Sequence, residues 1–360
     1  MMTTTLDFNI QRTKQSRLAE VDYTQLEFGK YVADHMLTAH YRNGAWQDGE
    51  IVPFGAISFL PTMQALHYGQ SVFEGMKAFK MQDGKVSIFR IDKHYNRFQK
   101  SLERLCMAEI PYELFVEGIK ALVQLDANWV PDSEGSSLYI RPFAFASEEV
   151  FGAKPSEEYQ FIIFSGPVGP YYPKPIRVKV EDQYIRAGKG GTGFAKCAGN
   201  YGGAFYPAQL ARQAGFDQVL WTDGSPELNI EESGTMNVFF LIDNVLVTPP
   251  LSDTILDGIT RDSYLVLAKE MGYDVEERTI SAFELAEAHQ KGLLQEAFGA
   301  GTAAVAAPIS SIHIKGTDYN LGIYNENSFC MKAKKRLTDI RIGVAEDVYG
   351  WNTIVTGEAR

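Results

Sequence analysis

Apolar residues recur along this chain with two different periods. VSIFRI (86–91) is rich in β-branched and aromatic residues and predicts a strand. The stretch after it carries Phe98, Leu102 and Leu105 on one face of a helical period, predicting a helix that opens with Asp92 as its cap. ELFVEGIKALVQLDANW (113–129) predicts a second helix. SLYIRPFAF and YQFIIFS read as strands, the second apolar enough to be buried on both faces. The pattern breaks at GPVGPYYPKP (166–175), where four prolines and two glycines exclude regular structure and mark an interdomain connection.

Beyond that break the alternation resumes. RVKVEDQYI predicts a strand, residues 188–203 are rich in glycine, and a helix is expected from Ala204 to Ala214. QVLWT and NVFFLIDNVLVT follow, the latter a hairpin turning near Asp243 and Asn244. Residues 259–271 predict a helix just after Gly258, and Ser281 with Glu284 forms a capping box for another. QEAFGAGTAA reads as a strand and a tight turn, and a last helix is expected over 326–341. The alternation predicts a mixed α/β or α+β fold with domains at 1–168 and 180–360, joined by residues 169–179.

Composition narrows the function classes. Hydrophobic content of 45% and aromatic content of 12% suit packed cores. A net charge of -11 disfavours a nucleic-acid partner, although a few local cations would still serve a small anion. The opening MMTTTLDFNIQRTKQ lacks an apolar signal core, and no later stretch is long and apolar enough to span a bilayer. Cys106, Cys197 and Cys330 are few and widely spaced, which points to a reducing compartment and to no metal-ligand set.

Several segments carry candidate chemistry. Gly188, Gly190 and Gly193 satisfy a dinucleotide-binding spacing, but Gly199, Gly202 and Gly203 follow too soon for the helix that fingerprint needs. Lys196 lies among small residues with Tyr201 five positions on. A lysine so placed can lose its proton on burial and form a Schiff base, or it is one solvated lysine on a flexible loop. Gly258-Ile259-Thr260 opens a helix whose amides could bind phosphate, or is a common glycine turn. GAGTAA (299–304) is a second small-residue turn, with a hydroxyl at Thr302. Glu231 and Glu232 precede an apolar strand, where two adjacent acids ordinarily form a solvated turn.

As a set, these segments resemble the branched-chain aminotransferases among the fold-type-IV pyridoxal-phosphate enzymes. The strings are LHYGQSVFEGMKAF (66–79), SLYIRP (137–142), FAKCAGNYGG, EESGTMNVF (231–239), TPPLSDTILDGITRDS (248–263) and FGAGTAA (298–304), and the resemblance as a whole runs roughly from residue 25 to 345. The resemblance implies two α/β domains, the second the larger, with pyridoxal 5'-phosphate in the cleft between them. It implies that Lys196 holds the cofactor, Tyr201 hydrogen-bonds its 3-oxygen and Glu232 faces its pyridine nitrogen, leaving Glu231 as surface charge. Arg97, the amides of Ile259 and Thr260, and Thr302 are then phosphate contacts, with Arg186 near the cofactor. Tyr68, Phe73, Tyr139, Arg141, Tyr171, Thr235 and Ala303 fall where the family builds its substrate pocket.

The implied reaction is ping-pong transamination of leucine, isoleucine and valine with 2-oxoglutarate, by a cytosolic homodimer without metal. Ala304 and Ala307 stand where some animal relatives carry a redox-active thiol pair, so that regulation is not implied. A D-amino-acid aminotransferase, an aminodeoxychorismate lyase and a non-catalytic small-molecule binder are the competing readings. The set Tyr68, Tyr139 and Arg141 opposes the first two, and intact Lys196, Tyr201 and Glu232 oppose the third.

Overall fold

The computed structural model describes residues 8–355, so the outermost residues of both expected domains, including part of the apolar-poor opening stretch, lie outside it. The chain divides into two compact units. Of the described residues, the first comprises 8–171, 195–199 and 340–355, and the second 172–194 and 200–339. The chain passes from the first unit to the second after Tyr171, and the Lys196 segment and the C-terminal strand Asn352–Val355 lie with the first unit. The reason is hydrogen bonding, since Asn352–Val355 pairs antiparallel with Val86–Phe89, and Cys197 bridges to Val72.

The first unit is built on one largely antiparallel sheet. Its main path runs through Asn9–Ile10, Glu50–Pro53, His35–Arg42, Tyr159–Val168, Ser137–Ala146, Met76–Lys80, Val86–Phe89 and Asn352–Val355. The short strand Ser71–Phe73 pairs with the far end of Ser137–Ala146. Tyr159–Val168 is central, and most of its side chains are buried, as its apolar run requires. The helix Ile91–Arg104 packs its buried Phe98 and Leu102 into the same core as Phe115 and Phe161.

Two local expectations are corrected here. The helix opens at Ile91, one residue before Asp92, and its cap position is Arg90 in the left-handed region (φ 53°) with no side-chain capping bond. Asp92 instead accepts a hydrogen bond from the Tyr112 hydroxyl. The strand Tyr159–Val168 also runs through Gly166 and Pro167 into the proline-rich break. Its last residues pair only with Ser137–Ala146, so a residue without an N–H is tolerated on the side that bears no ladder.

In the second unit six strands close into a ring. Ile230–Ser233, Gln218–Thr222, Ile176–Val180, Val305–Ile314, Leu294–Gly301 and Met236–Ile242 pair in that order, and the last pairs again with the first. Closure leaves these strands no open edge and surrounds the short closing strand with protein. All four residues of Ile230–Ser233 are consequently buried. The hairpin Met236–Ile242 to Val245–Thr248 turns at Asp243 and Asn244, both at positive φ (48° and 64°), as a tight two-residue turn demands. Ser281 accepts a hydrogen bond from the Glu284 amide and so caps the helix Ala282–Gln290.

Candidate active site

In the first unit, Lys196 sits on an extended segment clamped at three points. Its amide donates to Ser101 Oγ at 2.9 Å, its carbonyl accepts from the Phe73 amide at 3.0 Å, and the Ala198 amide donates to the Ser71 carbonyl. Ser101 belongs to the helix Ile91–Arg104, so that helix and the strand Ser71–Phe73 fix the lysine's backbone together. Its Nζ lies 4.8 Å from the Phe73 ring centroid.

Arg141 approaches the same ring. Its guanidinium carbon is 4.8 Å from the Phe73 centroid and 5.3 Å from that of Tyr139, and Nη2 donates to the Tyr139 hydroxyl at 3.3 Å. Among the described residues no carboxylate pairs with Arg141, and its buried Nε has no partner. Tyr139 is set from behind by Gly75: a Cβ there would stand 1.8 Å from the Tyr139 hydroxyl. Phe28, which the sequence reading missed, joins Tyr139 to Tyr171 through edge-to-face contacts with centroids 4.9 and 5.4 Å apart. Tyr68 is not brought to Arg141; its hydroxyl donates to the Phe151 carbonyl at 2.8 Å.

Arg97, also on the helix Ile91–Arg104, is gripped by Glu74. Arg97 Nε donates to Glu74 Oε1 at 2.6 Å and Nη2 to Oε2 at 2.9 Å, while His94 Nδ1 lies 2.7 Å from Oε2. Glu74 is fully buried; burial alone would raise its pKa, but the Arg97 and His94 charges and hydrogen bonds hold it well below the usual carboxylate range. Burial drives the His94 pKa down despite Glu74, helped by the Arg97 and Lys196 charges. Glu74 and His94 were missed by the sequence reading. The signal was present: Glu74 is the one acid in the string LHYGQSVFEGMKAF (66–79).

The second unit carries the other residues expected at the cofactor. Glu232 is buried on the closing strand. Its Oε1 accepts from the Leu256 amide at 2.8 Å and its Oε2 lies 3.0 Å from Arg186 Nε. Asn237, opposite Glu232 in the strand register, holds the Leu256 carbonyl from the other side at 2.9 Å. Gly258 precedes the helix Ile259–Glu270, and a Cβ on it would meet Asn237 Oδ1 at 1.8 Å. Ile259 and Thr260, both buried, form that helix's first turn. Thr302 and Ala303 lie half-buried in the turn after Leu294–Gly301, and Tyr201 is half-buried in the helical turn Gly199–Gly202. Thr235 is exposed in the turn between Ile230–Ser233 and Met236–Ile242.

One expectation fails outright. Glu231 is not surface charge: it is 6% exposed, because both faces of the closing strand are covered. The Thr254 hydroxyl donates to its Oε1, and its Oε2 has no hydrogen-bond partner. Burial with so little compensation raises its pKa to about 7.

Residues 71–312 match the family model of amino-transferase class IV, and the chain belongs to that family. It is 45% identical over 93% of its length to a probable branched-chain-amino-acid aminotransferase of Staphylococcus aureus (strain MRSA252), covering 94% of that protein. It is 42% identical to branched-chain-amino-acid aminotransferase 2 of Bacillus subtilis (strain 168), over 93% of each chain. Among solved structures, the branched-chain amino acid aminotransferase of Escherichia coli superposes with a TM-score of 0.73 at 27% identity, over 88% of this chain and 99% of that one. The branched-chain aminotransferase of Thermoproteus uzoniensis with norvaline gives 0.73 at 26%, over 89% and 100%. The branch of the family is thus that of the branched-chain amino-acid aminotransferases, and the two-domain mixed α/β architecture is that of fold type IV.

Proposed function

We propose that this protein moves amino groups between L-leucine, L-isoleucine or L-valine and 2-oxoglutarate, using pyridoxal 5'-phosphate tethered to Lys196. The observation that carries the reading is the placement of Lys196 Nζ and the Arg141 guanidinium around one aromatic ring, Phe73. A reactive amine and a cation with no carboxylate partner, set in aromatic walls, suit a substrate that has an amino group, an apolar side chain and an acid. The residues also fit the cofactor. Within the first unit Arg97 is a buried cation suited to a phosphate, and within the second Glu232 is a buried carboxylate of fixed orientation and Gly258 leads into a helix start.

When bound, pyridoxal phosphate supplies a carbonyl that condenses with amines and a ring that withdraws electrons from the α-carbon. Every other requirement falls to the chain. Lys196 Nζ takes the α-proton of the amino acid as base and returns it as acid. Glu232 favours a proton on the ring nitrogen, and Arg186 keeps the Glu232 carboxylate aimed. Tyr201 holds the 3-oxygen, while Arg97, Ile259, Thr260 and Thr302 hold the phosphate. Phe73, Tyr139 and Tyr171 exclude water and receive the branched side chain; Tyr68, Thr235 and Ala303 complete the pocket. Purified protein is expected to absorb in the visible and to change spectrum on addition of L-leucine. Lys196→Ala should lose both the band and all turnover; a borohydride-reducible adduct persisting in Lys196→Ala would refute the assignment.

The reading includes a cytosolic homodimer. Phe59, Leu60, Leu66 and Phe151 are large apolar side chains left exposed on two segments, which the Tyr68 bond to Phe151 joins. Assembly is the usual fate of such a face. Sedimentation velocity should give a dimer, and Phe151→Glu should shift it toward monomer; an unshifted dimer would move the interface elsewhere.

A further inference from the structure

Glu231 is a buried acid for which the reaction above has no use. Its neighbours are specific. The Thr254 hydroxyl donates to Oε1, and the Thr254 carbonyl accepts from Arg186 Nη2. Arg186 also bonds the Gly193 carbonyl at 3.1 Å and pairs through Nε with Glu232. Two residues after Thr254, the Leu256 amide holds the other oxygen of Glu232. Ser252 steadies the arrangement through its hydroxyl, 2.9 Å from that of Thr254. Residues 252–256 thus touch both carboxylates, Glu231 through a side chain and Glu232 through a backbone amide and the Arg186 bridge.

We propose that Glu231 is a positioning residue for Glu232, acting through Thr254 and Arg186, and that its charge state tunes how strongly Glu232 holds a proton on the cofactor's ring nitrogen. The inference rests on the reading that Glu232 faces that nitrogen. The groups facing Glu231 are the Thr254 hydroxyl, the Arg186 guanidinium, and the Glu232 and Asp223 carboxylates. Ionising Glu231 adds one more anion to those around the Arg186 guanidinium, and Glu232 becomes the stronger proton acceptor. Burial and an Oε2 with no partner place the change near neutrality, with Glu231 protonated below about pH 7.

The test uses the holoenzyme with L-leucine and 2-oxoglutarate. Wild type is expected to show a step near pH 7 in both the visible band and kcat. Glu231→Gln should remove that step. Glu231→Ala and Thr254→Val should each lower kcat about tenfold with KM for leucine changed less than twofold, because the substrate touches neither residue. Glu231→Gln, which keeps an acceptor for Thr254, should recover most of the loss seen in Glu231→Ala. Thr254→Val retains Glu231 and answers the question if Glu231→Ala fails to fold. If Glu232→Gln alters the band but Glu231→Gln and Thr254→Val leave spectrum, kcat and pH profile as in wild type, the inference is overturned and the role of Glu232 stands. If Glu232→Gln leaves the band unchanged, the reading beneath the inference falls and the inference falls with it.

Discussion

Glu74 in the first unit and Glu231 in the second are both glutamates shut away from water, and they differ in what meets them. Glu74 faces the full fork of Arg97 and the ring nitrogen of His94. Glu231 has one hydroxyl on one oxygen and, among the described residues, no hydrogen-bond donor on the other. Burial raises the pKa of both, yet Glu74 ends well below the ordinary value and Glu231 well above it, at about 7. Partners therefore decide the charge state of a buried acid, and burial only sets the stakes. The difference suits two jobs. Glu74 is a permanent anion that fixes a cation. Glu231 is an acid whose pKa is raised to about 7.

The comparison predicts its largest effect at Glu74. Glu74→Ala removes the buried carboxylate that pairs with Arg97 and His94, and breaking such a buried pair costs about 3–5 kcal/mol. Urea unfolding should show that loss, and Glu74→Ala combined with Arg97→Met should recover much of it. A loss below about 1 kcal/mol would mean that solvent or another group takes over, and Glu74 would no longer be the anchor of Arg97.

A second effect concerns the sign of pH dependence. The folded pKa of Glu74 is depressed, so its stabilisation is present above the unfolded value near 4.5 and is lost as pH falls below it. The folded pKa of Glu231 is raised, so the unfolded chain sheds that proton first. Stability then falls as pH rises from 4.5 to about 7, by roughly 3 kcal/mol in all. Glu231→Gln should abolish this decline and gain on wild type between pH 5 and pH 8 in thermal or urea unfolding. Parallel curves for the two proteins across that range would show that Glu231 is ionised throughout.

The sequence revealed what neighbours in the chain decide. Asp243 and Asn244 tolerate positive φ, so the hairpin was legible, and the Ser281 cap was legible for the same local reason. Glu231 was not legible, because its burial depends on Ile230–Ser233 closing a ring with strands far away in the chain. The strand through Pro167 was hidden likewise: that proline looked like a breaker, and the one-sided pairing of its stretch makes it harmless. Arg97 and Lys196 were recognised as single residues. Their supports, Glu74 and Ser101, come from elsewhere in the chain and needed the fold.

Arg141 sharpens the comparison from the other side, as a cation rather than an acid. Arg97 and Arg186 each have a carboxylate, Glu74 and Glu232, whereas among the described residues Arg141 meets the Phe73 and Tyr139 rings and the Tyr139 hydroxyl and no carboxylate. A half-buried guanidinium in that setting is poised for an acid brought by the substrate. The proposed reaction brings one in a single half of its cycle, since glutamate and 2-oxoglutarate carry a side-chain carboxylate and leucine does not. Without a cation, burying that carboxylate against aromatic walls would be too costly. Arg141→Met keeps the length and apolar stem and removes the charge-assisted bonds, which are worth about 1.5–3 kcal/mol. KM for glutamate and 2-oxoglutarate should then rise about tenfold to a hundredfold, with KM for leucine and its keto acid changed less than about threefold. Steady-state kinetics with both substrate pairs decide the matter. Equal losses for both would mean that Arg141 braces Phe73 and Tyr139 for every substrate, and the acid's partner would have to be another cation.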